Sequence, residues 1–299
     1  CHRGTVVKNT TGFWAAAPDL RRSDIAFNFR GHDYLGHMVA PPEIEGPKPM
    51  VMVIHNYQGL KFFDVDVAEY IARLGYVGFA IDLYGDRLPA NERLWPEDET
   101  QIPAFQQKCF EAMVALDHDH ELFRALLKAW LDQGMSHNFV DASIAPAAIG
   151  YCFGGVAVLE AVRGGLGLGG VVSLHGLLQT GEDPNPARFN AERPPLKSCE
   201  NNYNTQTIVV VENGADDELV PDDSKQRFFH EMNEAGTDWV FHHYAATPHG
   251  FALPPTLGPP GRLHESTDRR STMNMLNLFR EIFPGVRQNP VSHNASGTS

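Results

Sequence analysis

Residues 147–163 read AAIGYCFGGVAVLEAVR, and the order of residue types in that stretch decides the fold. AAIG at 147–150 is a short apolar run suited to a buried strand, and the residues from 153 to 163 carry helical spacing. Gly150-Tyr151-Cys152-Phe153-Gly154-Gly155 joins the two. The glycines at 150 and 154 allow a turn too tight for neighbouring side chains, which thrusts residue 152 outward at the start of the helix. A helix N-terminus favours negative charge, so a thiolate is favoured at Cys152. A cysteine beside a glycine turn is most often buried and inert. The sequence of strand, turn and helix argues instead for a nucleophile elbow with Cys where G-x-S-x-G segments carry Ser.

Outward from this elbow, apolar β-rich runs alternate with helical patterns. VMVIH at 51–55, VGFAI at 77–81, VVSLH at 171–175 and TIVVV at 207–211 read as buried parallel strands, and WVFHHY at 239–244 as a last strand. Helical spacing covers 62–74, 103–131, 153–163, 222–236 and 266–282. The alternation predicts an α/β fold, a mostly parallel open sheet with helices on both faces. IAFNFR at 25–30 and YLGHMVA at 34–40 flank Gly31-His32-Asp33 and predict an antiparallel edge hairpin. The expected organisation is a loosely ordered segment over 1–23, a single domain over 24–285 and a polar tail over 286–299.

The 299 residues are 42% hydrophobic and 20% charged, enough for one sizeable core. A formal charge of -13 repels nucleic acid and anionic membrane surfaces, and no apolar run approaches the length of about 20 residues that a spanning helix needs. Neither nucleic acid nor membrane is an expected partner. The cysteines at 1, 109, 152 and 199 show no metal-ligand spacing and are too sparse for a disulfide scaffold, so reduced thiols in a cytoplasm are expected. The first residue is Cys1, which points to a truncated or processed chain, and a targeting segment removed earlier fits the same observation. Asn9-Thr10-Thr11 and Asn294-Ala295-Ser296 fit a glycosylation pattern that recurs by chance.

In open α/β sheets the working site lies beyond the carboxyl ends of the strands. A thiol there needs a base, and Thr247-Pro248-His249-Gly250-Phe251 is a turn able to present His249 after the last strand. His242 and His243 sit within that strand and point to opposite faces. The base in turn needs an anion to hold its tautomer. Asn213-Gly214-Ala215-Asp216-Asp217-Glu218-Leu219-Val220-Pro221 supplies carboxylates at the correct edge, and composition alone leaves Asp216, Asp217 and Glu218 open. The chain order nucleophile, acid, histidine is the one expected for this kind of fold.

These residues resemble the dienelactone hydrolase family of the α/β-hydrolase superfamily. The cysteine elbow, Asp217-Glu218-Leu219-Val220-Pro221, His249-Gly250-Phe251, Asp82-Leu83-Tyr84-Gly85, Leu174-His175-Gly176 and Lys48-Pro49-Met50 all match, over about 30–285. The resemblance implies an α/β-hydrolase fold and a carboxylic ester hydrolase with a Cys152–His249–Asp217 triad. The family's D-x-x-V-P spacing selects Asp217. It also implies an oxyanion hole made by the backbone amides of Tyr57 and Phe153, and a pocket that includes Asn56, Tyr84, Arg87 and Leu253. Three positions depart from the family. Asn56 stands in place of a glutamate, Leu253 in place of an arginine that binds a substrate carboxylate, and Arg87 one residue beyond a second such arginine.

The implied reaction is a two-step hydrolysis of an ester or lactone through a thioester, with a small-molecule substrate, no cofactor, no metal, and a monomer or small homo-oligomer. The rival from another class is a non-catalytic relative that binds a small ligand or protein in the same pocket. Gly165-Leu166-Gly167-Leu168-Gly169-Gly170 has the letters of a dinucleotide fingerprint in the reverse structural order and reads as a helix-to-strand loop. Asp117-His118-Asp119-His120-Glu121 reads as a solvated helical face. His175, at a strand end, suits either a pocket wall or a structural role and stays outside the catalytic set.

Overall fold

The computed structural model describes residues 19–42, 46–182, 193–257 and 262–289. Eight strands form one open sheet: β1 (Arg21–Phe29), β2 (His32–Ala40), β3 (Met50–Ile54), β4 (Val77–Ile81), β5 (Ala147–Tyr151), β6 (Gly170–Leu174), β7 (Ile208–Asp216) and β8 (Asp238–Pro248). Their order is β1-β2-β4-β3-β5-β6-β7-β8. The β1–β2 and β2–β4 pairs are antiparallel, and every pair from β4 to β8 is parallel. All residues of β3, β4, β5 and β6 are buried, which is why these strands read as unbroken apolar runs.

Helices α1 (Phe62–Arg73), α2 (Ile102–Asp117), α3 (His120–Met135), α4 (Phe153–Arg163), α5 (Asp222–Ala235) and α6 (Glu265–Ile282) cover the sheet. One core layer joins Phe105 of α2, Phe123 and Trp130 of α3, Val158 of α4 and Phe228 of α5. The opposite layer joins Val65 and Ile71 of α1 to Met275 and Phe279 of α6. Helices therefore lie on both faces, as expected.

Three boundaries differ from the sequence expectation. The helical pattern over 103–131 is two helices, not one. Asp119 has non-helical backbone, φ -137° and ψ 88°, and accepts the Leu122 N–H at 3.1 Å, so an N-cap restarts the helix inside a stretch whose periodicity never falters. The hairpin turn is Arg30-Gly31, with φ of 50° and 86°, so His32 and Asp33 belong to β2. Two positive φ angles match the twist of the flanking strands. Residues 21–23 belong to β1, where they pair with Ala40, Val39 and Met38, and at the other end Asn289 N–H donates to Leu74 O at 3.0 Å. Cys1, both glycosylation patterns and the tail from residue 290 lie outside the described residues.

Candidate active site

The elbow forms as its glycines require. A Cβ on Gly150 would lie 1.9 Å from Gly154 O, and a Cβ on Gly154 would lie 2.1 Å from Ile54 O. Helix α4 therefore starts in direct backbone contact with β5 and β3. Cys152 N–H donates to Leu174 O at 2.9 Å, pinning the turn to β6. The result is a cysteine at φ 54°, ψ -109°, a strained conformation of the kind that costs about 1–3 kcal/mol and survives only where surrounding structure enforces it.

Two further strands deliver the remaining groups. β7 and β8 run parallel with a register irregularity between Gly214 and Asp216, and Asp216 pairs with Pro248. Residues 217 and 249 thereby leave the sheet edge side by side. His249 Nε2 lies 3.1 Å from Cys152 Sγ, and His249 Nδ1 lies 2.9 Å from Asp217 Oδ2. Leu219 N–H donates to Asp217 Oδ1 at 2.9 Å and fixes the carboxylate. Burial opposes ionisation of His249, but the charges of Cys152 and Asp217 outweigh it and raise its pKa to about 10. Asp216 and Glu218 are exposed, so the structure brings Asp217 alone of the three acids to the imidazole. His242 is held by Glu212 at 3.0 Å, and His243 lies 3.1 Å from Asn213 Nδ2, both away from Cys152.

A cavity of about 110 Å³ opens at the sulfur, and Cys152, His249, Tyr57 and Phe153 all line it. The four side chains expected in the pocket do not border this cavity. Asn56 is buried and turned onto its own loop, where its Oδ1 accepts the Gln58 N–H at 2.8 Å. Tyr84 is fully buried and its hydroxyl donates to Tyr57 O at 2.7 Å, so it supports the loop from beneath. Arg87 donates to the Tyr34 hydroxyl at 2.8 Å, and Leu253 packs on the α1 and α6 layer.

The wall comes instead from α2 and from the segment after β6. Phe110, Met113, Val114 and Asp117 project from one face of α2, and Leu177, Glu182 and Arg193 complete that side. The spacing 110, 113, 114, 117 is a helical stripe, the signal that would have found this wall. Asp117 and His118 are buried, so the solvated face expected for 117–121 does not form; the His118 imidazole instead meets Pro194 O at 2.8 Å. Gly165–Gly169 lie in the loop between α4 and β6, and Gly170 opens β6. His175 is fully buried behind His249, with ring centroids 5.3 Å apart at 74°. Burial and the neighbouring His249 charge push its pKa well below the usual histidine value. Cys109, Cys152 and Cys199 are free thiols. Among the described residues, no group of three His, Cys, Asp or Glu side chains is placed to hold a metal ion, and no helix is long and apolar enough to cross a membrane.

Comparison with known proteins gives this geometry its relatives. A carboxymethylenebutenolidase from Pseudomonas sp. (strain P51) is 30% identical over 135 residues, 45% of this chain and 52% of that protein. The chain spans about half the length of the curated relatives it matches. Among solved structures, a dienelactone hydrolase-like promiscuous phosphotriesterase, P91, from metagenomic libraries is 27% identical, with a TM-score of 0.68 over 89% of this chain and 99% of its own. Est1E from Butyrivibrio proteoclasticus, 15% identical with a TM-score of 0.54 over 86% of this chain and 98% of its own, shares the fold. The sheet and its helices are an α/β-hydrolase fold. The family model described as the dienelactone hydrolase family matches residues 35–283, from within β2 to the residue after α6, and so takes in the elbow, the acid loop and the histidine turn: the chain belongs to the dienelactone hydrolase family.

Proposed function

We propose that the protein is a carboxylic ester hydrolase that cleaves a small ester or lactone through Cys152, His249 and Asp217. The observation that carries this reading is the unbroken line from Sγ to Nε2 at 3.1 Å and from Nδ1 to Oδ2 at 2.9 Å, at the mouth of a cavity. Membership of the family and the likeness to a carboxymethylenebutenolidase support it.

In the first step the sulfur attacks the carbonyl carbon, and the C=O electron pair moves onto oxygen. The backbone amides of Tyr57 and Phe153 receive that oxyanion, each contributing about 3–4 kcal/mol to the transition state. Collapse expels the alkoxide, which takes the proton on His249 Nε2, and leaves a thioester on Cys152. In the second step His249 removes a proton from water, the hydroxide adds to the thioester, and thiolate departs with the acid product. Asp217 holds the Nδ1 proton throughout and balances the imidazolium. A thiolate leaves more readily than an amine, so lactones and activated esters suit this site better than amides. The free thiols at 109, 152 and 199 fit a reducing compartment such as the cytoplasm.

Purified Cys152→Ala protein should lose p-nitrophenyl acetate hydrolysis by about 10⁴-fold or more while still unfolding in a single cooperative transition. Retained turnover in that folded variant would remove Cys152 from the mechanism.

A further inference from the structure

Among the described residues, three charged side chains interrupt the otherwise apolar far wall of the cavity: Asp117, Glu182 and Arg193. Asp117 is the last residue of α2 and only 8% exposed. A carboxylate at that position meets the negative end of a helix and an apolar surrounding, both unfavourable to its charge. The other wall positions of the same helical stripe are Phe110, Met113 and Val114, so packing alone would call for an apolar residue at 117. The Arg193 guanidinium lies over the Phe110 ring at 5.1 Å, and its charge favours ionised Asp117. Glu182 is engaged by Arg227 and accepts the Ser224 hydroxyl at 3.0 Å. Among the described residues, each acid on this wall thus has a cation acting on it, which offsets the positive charge that a substrate carboxylate would need. A hydroxyl group, by contrast, can donate to Asp117 while accepting from Arg193.

We propose that Asp117 and Arg193 form the acyl-group subsite of this hydrolase, selecting uncharged acyl chains that carry a hydroxyl and rejecting chains that end in a carboxylate. The assignment rests on the ester-hydrolase reading of Cys152. Rejection strengthens with pH, because burial holds the Asp117 carboxyl up to about 7, with Glu160 adding to that and the Gly181 amide and Arg193 opposing it. Cys152 and His249 face the same cavity, and His249, its pKa raised to about 10, keeps one charge over the range tested below.

The test compares kcat/KM for p-nitrophenyl butyrate, p-nitrophenyl 3-hydroxybutyrate and the p-nitrophenyl monoester of succinate between pH 5.5 and 8.5. A hydrogen bond to a charged acceptor predicts that wild type prefers the hydroxy ester to the butyrate by about tenfold. Discrimination against the succinate ester should rise as pH passes through about 7. Asp117→Asn keeps an acceptor, so the hydroxyl preference survives while the pH-dependent rise vanishes. Asp117→Leu brings the hydroxyl ratio to about one, as expected when a single hydrogen bond of this kind is lost. Thermal unfolding checks that both variants are folded, and Asp117→Asn alone carries the test if the leucine variant is not. A wild-type preference near one, a pH-dependent rise that persists in Asp117→Asn, or a preference that persists in Asp117→Leu overturns the subsite while leaving the hydrolase reading intact. Failure of wild type to cleave any of the three esters overturns both.

Discussion

The two sides of the cavity are built on different principles. One side, Cys152 with His249 and Asp217, stands on the carboxyl ends of β5, β7 and β8, with a strained backbone and hydrogen bonds joining Sγ to Nε2 and Nδ1 to Oδ2. The other, Phe110 to Asp117 with Leu177 and Arg193, is a helix face and a connecting segment that line the opposite side of the cavity. The first side has almost no freedom to vary, because a group displaced by about 1 Å can lose 10²-fold in rate. The second fixes only volume and charge. Substitutions on the sheet side should therefore abolish the reaction, and substitutions on the helix side should redistribute it among substrates.

His249→Ala gives the largest expected effect, a fall in ester kcat of about 10⁴-fold or more, since proton transfer to the leaving group and from water are both lost. A smaller fall would mean that the sheet side tolerates more than its geometry implies. Asp217→Asn should cost about 10²–10⁴-fold, because an amide no longer balances the imidazolium. Its pH dependence sharpens the point. The His249 pKa is raised from an ordinary value of 6.5 to about 10, so the stability gained from its charged contacts is complete below 6.5 and is lost as pH rises through about 10. In Cys152→Ala, where the largest favourable charge is gone, an NMR titration should place the His249 pKa lower than in wild type.

On the helix side, Met113→Trp fills cavity volume and should reduce kcat/KM for hexanoyl esters about tenfold more than for acetyl esters, as loss of a pocket contact of 1–3 kcal/mol would. A uniform loss across chain lengths would show that this wall supports the triad and does not merely bound the substrate. The smallest effect tests the strain itself. Cys152→Gly relieves φ 54° and should be more stable to urea than Cys152→Ala, which also lacks the sulfur, by about 1 kcal/mol, both being inactive. An unchanged or reduced stability would indicate that the elbow carries no such strain.

The same division explains what the sequence could convey. β3 to β6 were legible because burial on both faces makes each one a continuous apolar run. The elbow was legible because two backbones touch at Gly150 and Gly154 and nothing larger fits. Asp217 was separable from Asp216 and Glu218 only through the family's spacing, since alternation within an acidic loop carries no address. The helix wall escaped because Phe110, Met113 and Val114 look like core residues in any helical pattern, and the restart at Asp119 hid inside an uninterrupted period. Asn56, Tyr84, Arg87 and Leu253 were placed by analogy with other members of the family. Here their side chains bond to or pack on the scaffold: the Gln58 amide, Tyr57 O, the Tyr34 hydroxyl and the α1–α6 layer.

The proposed hydrolysis requires a covalent bond to one sulfur. Acid quenching during hydrolysis of p-nitrophenyl acetate, followed by peptide mass mapping, should find the acetyl group on Cys152, with Cys109 and Cys199 unmodified. An acetyl group mapped to any other side chain during turnover, with Cys152 bare, would contradict it.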